Sequence, residues 1–352
     1  MSAGTPAKPL RLRTAPHIHA GVGVDTIMRN VVYALLPVCA FAVYQFGLSA
    51  LALLLGTTAA CVVTEHALCR AAGRPTTVND WSAVITGLLL ALTLPPACPL
   101  WMAALGGGFG IAVGKAVFGG IGHNVFNPAL VGRAFLQAAF PVAMTTWVPS
   151  RAAARFTEFI PSTWTPPFLS PPEVSQWAAR AVDGFTGATP LAQWKFAGET
   201  TPAADLFTGM TAGSLGETSA LLILACGAWL AFRGMMNWRI PAAMLLSAAA
   251  VSALYYVAAP GAYPTPLFTL GAGGLMLGAV FMASDMVASP LTSRGVWMYG
   301  ALMGALTVII RFQGGLPEGV MYAILLGNAA SPIIDNLTQP RAFGTRRGSA
   351  AP

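Results

Sequence analysis

The chain has 352 residues, of which 55% are hydrophobic and only 9% charged, and its mean hydropathy is +0.65. A water-soluble domain carries about 25% charged residues, so this composition excludes one and implies several membrane spans. The formal net charge of +7 does not mark a nucleic-acid binder, because the basic residues stand at the ends of apolar runs without interleaved aromatics.

Residues 1–30 hold Lys8, Arg11, Arg13 and Arg29 but no apolar core before Val31. No cleavable signal peptide is expected, and the stretch reads as a cytoplasmic arm. A spanning helix needs about 20 apolar residues, fewer where it is broken or re-entrant. Five such segments are predicted in the first half, at 31–48, 51–68, 82–94, 100–118 and 127–144. The third is short and stops at Pro95-Pro96, so a full crossing is not expected of it. Five more are predicted at 218–232, 240–258, 267–283, 296–312 and 319–337. The expected fold is therefore an all-α polytopic membrane protein of about ten spanning or half-spanning helices. A first repeat covers 31–144, a central loop 145–217, a second repeat 218–338 and a cytoplasmic tail 339–352.

Charge placement orients these segments. With the N-terminus inside, Arg70, Arg74, Lys115, Arg233, Arg239, Arg294, Arg341, Arg346 and Arg347 all fall inside, and the outer turns 47–50, 95–99 and 259–266 carry no charge. Cytoplasmic loops carry the excess of Lys and Arg, so both termini are expected in the cytoplasm and the central loop outside. That loop balances its acids against its bases and is rich in Pro, Trp and Thr. It is expected to lie compactly on the membrane.

A weak internal repeat relates Lys115-Ala116-Val117-Phe118-Gly119-Gly120 to Arg311-Phe312-Gln313-Gly314-Gly315. Each is followed by an apolar stretch with Asn and Pro, at Asn127-Pro128 and at Asn328 to Pro332. The spans between them place the copies in opposite orientations, as in inverted-repeat transporters. Lys115 and Arg311 would then anchor helix ends or hold a flavin phosphate or ring.

The five cysteines lie in or beside apolar runs, form no C-x-x-C and read as small buried hydrophobes. The four histidines are scattered, and no metal site is expected. Acids at membrane depth are costly and often functional. Glu65, Asp285 and Asp335 are therefore candidates for an ion path, with hydrated helix-end residues as the alternative.

The stretch Asp183-Gly184-Phe185-Thr186-Gly187-Ala188-Thr189-Pro190 stands out in the central loop. It puts a hydroxyl beside residues without bulk, where a modifying enzyme can reach it. An ordinary Gly-containing turn capped by Thr accounts for the same residues. The pattern D-x-x-[ST]-G-A-[ST] resembles an acceptor site for FMN joined through a phosphoester to the last Thr, here Thr189. Two further segments agree, Gly122-His123-Asn124-Val125-Phe126-Asn127-Pro128-Ala129-Leu130-Val131-Gly132-Arg133 and Phe281-Met282-Ala283-Ser284-Asp285-Met286-Val287-Ala288-Ser289-Pro290-Leu291-Thr292.

Together these resemble the NqrB/RnfD family of membrane subunits, found in Rnf electron-transport complexes and in sodium-translocating NADH:quinone reductases. The resemblance covers nearly all of the chain, and the short N-terminal arm fits the Rnf member better. It implies a subunit, inactive alone, of a bacterial inner-membrane complex whose other Rnf components are A, B, C, E and G. That complex passes electrons between reduced ferredoxin and NAD⁺ and moves H⁺ or Na⁺. It also implies FMN on Thr189 at the periplasmic face, set there by a flavin transferase, with Asp183, Gly184, Thr186, Gly187 and Ala188 shaping the site. A non-covalent riboflavin nearer the cytoplasm is implied without a motif to place it. A quinone-reductase subunit, a flavin-free channel and a purely structural anchor are the alternatives.

Overall fold

The computed structural model describes residues 23–169, 172, 174, 177, 188–217 and 219–340, and among these every extended element is helical. In the first half α1 runs Val24–Phe46, α2 Leu48–Ala71, α3 Ser82–Thr93, α4 Leu100–Ile111 and α5 Pro128–Ala139. In the second half α6 is Ala220–Phe232, α7 Arg239–Ala258, α8 Pro266–Gly271, α9 Ser293–Gln313 and α10 Val320–Thr338. By length and composition α1, α2, α7, α9 and α10 can each cross a membrane, and shorter apolar helices lie among them. At 12 residues, α3 is only about 18 Å long against a hydrocarbon core of about 30 Å.

Three boundaries differ from expectation. Helix α1 begins at Val24, inside the stretch read as an arm. Asp25 favours its first turn, and Asn30, bound by Arg233 at 3.0 Å, holds it to the end of α6. The eighth segment is not one helix. Gly273 has φ +66°, so α8 stops at Gly271 and a new turn, Leu275–Leu277, runs into the π turn Gly278–Met282. The fifth is interrupted at Phe140-Pro141, where a prolyl nitrogen has no hydrogen to donate.

Helix starts follow local chemistry. Asn127 caps α5 through Ala129 N–H, Ser219 caps α6, and Thr265 and Thr292 cap α8 and α9. Pro occupies the first turn of α5 and α8, where its missing N–H is not needed. Packing uses small residues. A Cβ on Gly304 would lie 2.1 Å from the Met244 carbonyl oxygen and one on Gly300 2.6 Å from the Ala243 Cβ. The α7 and α9 backbones therefore touch, as small-xxx-small seams allow.

Broken helices expose carbonyls that lipid cannot satisfy. At the end of α3 the Leu92 and Leu94 carbonyls accept from Gly216 N at 2.6 Å and Leu215 N at 3.1 Å, and the Thr93 carbonyl from Arg133 at 2.7 Å. At the end of α8 the Thr269 and Ala272 carbonyls accept from Arg311 at 2.8 and 3.0 Å. One arginine thus serves each break. The two halves meet at Asn127 and Asn328, the counterparts in the sequence repeat. With its amide oxygen turned to Asn127, Asn328 accepts from Asn127 N–H at 3.1 Å and donates to the Tyr299 hydroxyl at 2.6 Å.

The central segment is fastened to the ends of the helices that charge assigns to the outside. Leu48 N donates to the Arg155 carbonyl at 2.9 Å, Ser162 Oγ to the Ala97 carbonyl at 2.6 Å, and Gln45 to the Gly209 carbonyl at 2.8 Å.

Candidate functional site

Thr189 begins the turn Pro190–Ala192, which continues as the π turn Gln193–Ala197. Its backbone is extended, and its Oγ1 accepts from Ala192 N–H at 3.2 Å, an N-cap. The residue is only 4% exposed. This corrects the expectation of an open hydroxyl: Thr189 is turned inward as the cap of its own turn. Ala188 beside it is partly exposed. Asp183, Gly184, Thr186 and Gly187, the rest of the predicted acceptor motif, lie outside the described residues.

The segment after Thr189 is docked firmly on the bundle. Leu191 packs over Gly273, where a Cβ would lie 2.5 Å from its side chain. Trp194 packs on Phe312 with ring centroids 5.2 Å apart, and Phe312 meets Tyr255 and Tyr263 at 5.3 and 5.1 Å. Lys195 donates to the carbonyls of Arg311, Gly314 and Leu316 at 2.9, 2.5 and 2.9 Å. Partial burial lowers its pKa from the usual lysine value. The Thr189 segment therefore sits on the break between α8 and the turn at Leu275, above the buried Arg311.

The predicted acids fall in different places. Glu65 is buried and paired with Lys115 at 2.7 and 2.8 Å, and Thr77 donates to the same carboxylate. Lys115 also donates to Ser82 Oγ at 2.5 Å, so the pair ties α2, the π turn after α4 and the start of α3 together. Of the two roles weighed for Lys115 and Arg311, the contacts at both are those of helix-end anchors. A cavity of about 100 Å³ opens between the halves, with Ser82, Lys115, Asn124, Asn127, Ser284 and Asp285 among its polar lining. Glu65 borders a different cavity, of about 110 Å³, on the other side of Lys115. Asp335 stands apart and accepts from Leu291 N–H at 3.0 Å.

Sequence reasoning passed over one cluster. Arg133, 8% exposed, joins the Thr93 carbonyl to Glu318 Oε2 at 2.5 Å. Glu217 lines the same small cavity as Glu318, and its Oε2 accepts weakly from Ser214 N–H at 3.4 Å. Its parts come from three separate stretches, and no local pattern links them. Among the described residues no group of three or more His, Cys, Asp or Glu is placed to hold a metal ion.

Residues 11–344 match the model of the NQR2, RnfD, RnfE family. The chain belongs to that family. It is 39% identical to the D subunit of the proton-translocating ferredoxin:NAD⁺ oxidoreductase complex of Clostridium ljungdahlii, over 96% of each chain. It is 41% identical to the D subunit of the Na⁺-translocating ferredoxin:NAD⁺ oxidoreductase complex of Acetobacterium woodii, again over 96% of each. The D subunit of the ion-translocating oxidoreductase complex of Stutzerimonas stutzeri is 42% identical over 91% of this chain and 92% of its own. Relatives named for H⁺ and for Na⁺ thus stand about equally near this family member.

Proposed function

We propose that this chain is the flavin-carrying membrane subunit of an Rnf-type ferredoxin:NAD⁺ oxidoreductase in a bacterial inner membrane. FMN is joined through a phosphoester to Thr189 at the outer face, and electron flow through the complex drives H⁺ or Na⁺ movement. The observation that carries this reading is the seat of Thr189. It is the first residue of a turn held to the bundle by Leu191, Trp194 and Lys195.

The residues present fit the group. FMN supplies reversible one- and two-electron chemistry, and the protein supplies position and electrostatics. Thr189 is a tether, with no acid–base part in turnover. An ester oxygen at its Oγ keeps an acceptor for the Ala192 N–H. Trp194, Phe312, Tyr255 and Tyr263 offer an aromatic surface close to the tether, and aromatic faces are favourable partners for flat rings. Because the hydroxyl is turned inward, a transferase reaches it only while the turn is open, so attachment precedes docking.

Glu65 and Asp285, bordering cavities on either side of Lys115, belong to the inner part of the ion path. Asp335, on the Leu291 amide, has the weaker claim.

The test is Thr189→Ala in the host membrane. The complex should assemble with normal amounts of this subunit while ferredoxin-dependent NAD⁺ reduction drops to background. Wild-type reduction by the assembled variant would contradict the reading.

A further inference from the structure

Two carboxyl groups meet at the breaks in α3 and α8. Glu217 comes from the segment that covers the end of α3, and Glu318 from the turn joining α9 to α10, both outside the spanning helices. Glu217 Oε1 and Glu318 Oε1 are wholly inaccessible and have no hydrogen-bond donor. The Ser214 hydroxyl beside them is fully buried and unpartnered too. Glu217 and Glu318 border a cavity of about 20 Å³ that Thr93, Arg133 and Gly274 also line, room for about one water molecule. A second cavity, of about 60 Å³, shares Arg133 and Glu318 and reaches Thr145, Trp147 and Leu316 in the outer connections.

Two ionised carboxylates cannot share such a space without a donor between them. Like charges held close together disfavour full ionisation. We propose that Glu217 and Glu318 form a carboxyl–carboxylate pair that holds one exchangeable proton at the outer end of the ion path, beneath the Thr189 segment. The shared proton supplies a donor that Glu217 Oε1 and Glu318 Oε1 otherwise lack. Release breaks one O–H bond and passes the proton to water in the outer cavity, with no change in oxidation state. Burial, and after it the Glu318 charge, push the Glu217 carboxyl well above the ordinary carboxylate range, while Arg133 pulls it back.

The charged groups facing the pair are Arg133 of α5 and Arg311 of α9. Arg311 is fully buried, and its Nε has no partner among the described residues. Gly273 and Gly274 bring these parts together. A Cβ on Gly273 would lie 3.0 Å from Arg311 Nη2, and one on Gly274 3.1 Å from Glu217 Oε1. The backbone that carries Leu191 of the Thr189 segment on one side thus touches Glu217 on the other. Negative charge arriving on a group at Thr189 acts on Arg311 and, across that glycine pair, on the proton. This coupling role rests on the reading of the chain as a redox-driven translocase subunit; the shared proton itself does not.

The test is infrared spectroscopy of the purified full chain near neutral pH, in H₂O and D₂O. A carboxylic-acid C=O band that shifts in D₂O is expected, lost in Glu217→Gln and in Glu318→Gln and retained in Thr189→Ala. Glu217→Gln leaves the Arg133–Glu318 pair in place, so it reads the proton even where Glu318→Gln fails to fold. Persistence of every protonated-carboxyl band in Glu217→Gln would overturn the proposal. In the reconstituted complex, the ions moved per electron should fall in Glu217→Gln, and an unchanged ratio would overturn the role in translocation. Failure of the flavin assignment is read separately, from the mass of the same chain.

Discussion

At the scale of single residues, Lys115 and Arg133 are each paired with a carboxylate, whereas the buried Arg311 answers backbone carbonyls. Glu65 and Lys115 are 4% and 5% exposed and lie 2.7 Å apart. Removing one partner strands the other in a medium that solvates it poorly, at a cost of about 3–5 kcal/mol. Glu65→Leu or Lys115→Met alone should therefore lower the unfolding midpoint of the purified chain sharply. The double substitution should restore most of the loss. A double variant destabilised by the sum of the two single losses would show that the pair contributes nothing as a pair. Thr189 stood out as a candidate in the sequence because its motif is contiguous. Its inward turn was not, because a Thr followed by Pro serves equally as a cap. Glu217 and Glu318 were illegible as a pair, since only the folding of two distant connections brings them together.

At the scale of elements, apolar length predicted the five long apolar helices and the shorter ones among them, because lipid rewards little else. The errors came where backbone chemistry decides. Gly273, with φ +66°, and Pro141 interrupt runs that hydropathy reads as continuous. Helix contacts depend on glycines that hydropathy also cannot rank. Gly304→Leu should force α7 and α9 apart, with a loss of about 3 kcal/mol or more, at the upper end of what overpacking commonly costs. Gly315→Ala, where nothing lies within 4 Å of the added carbon, should be neutral. Thermal unfolding of both variants checks this, and equal midpoints would refute the α7–α9 seam. The arginines at the ends of α3 and α8 follow the same logic, because each answers carbonyls that a broken helix leaves open.

At the scale of the whole molecule, charge asymmetry predicts the orientation, and the described contacts hold the central segment to one end of the bundle. Glu199→Cys and Arg74→Cys, both at exposed positions, separate the two sides. A membrane-impermeant thiol reagent should label Glu199→Cys in intact cells and Arg74→Cys only after permeabilisation. The reverse pattern would invert the topology and put Thr189 inside. The family was legible because three separated motifs agree across almost the whole chain. The coupling ion was not, because the chain is about as similar to a relative named for H⁺ as to one named for Na⁺.

Whether this is a redox subunit with its flavin on Thr189 is decided by the intact mass of the chain purified from its own membrane. A gain of one FMN is expected, and it should disappear in Thr189→Ala. An unmodified mass under native expression, or a gain that survives the substitution, would contradict the assignment.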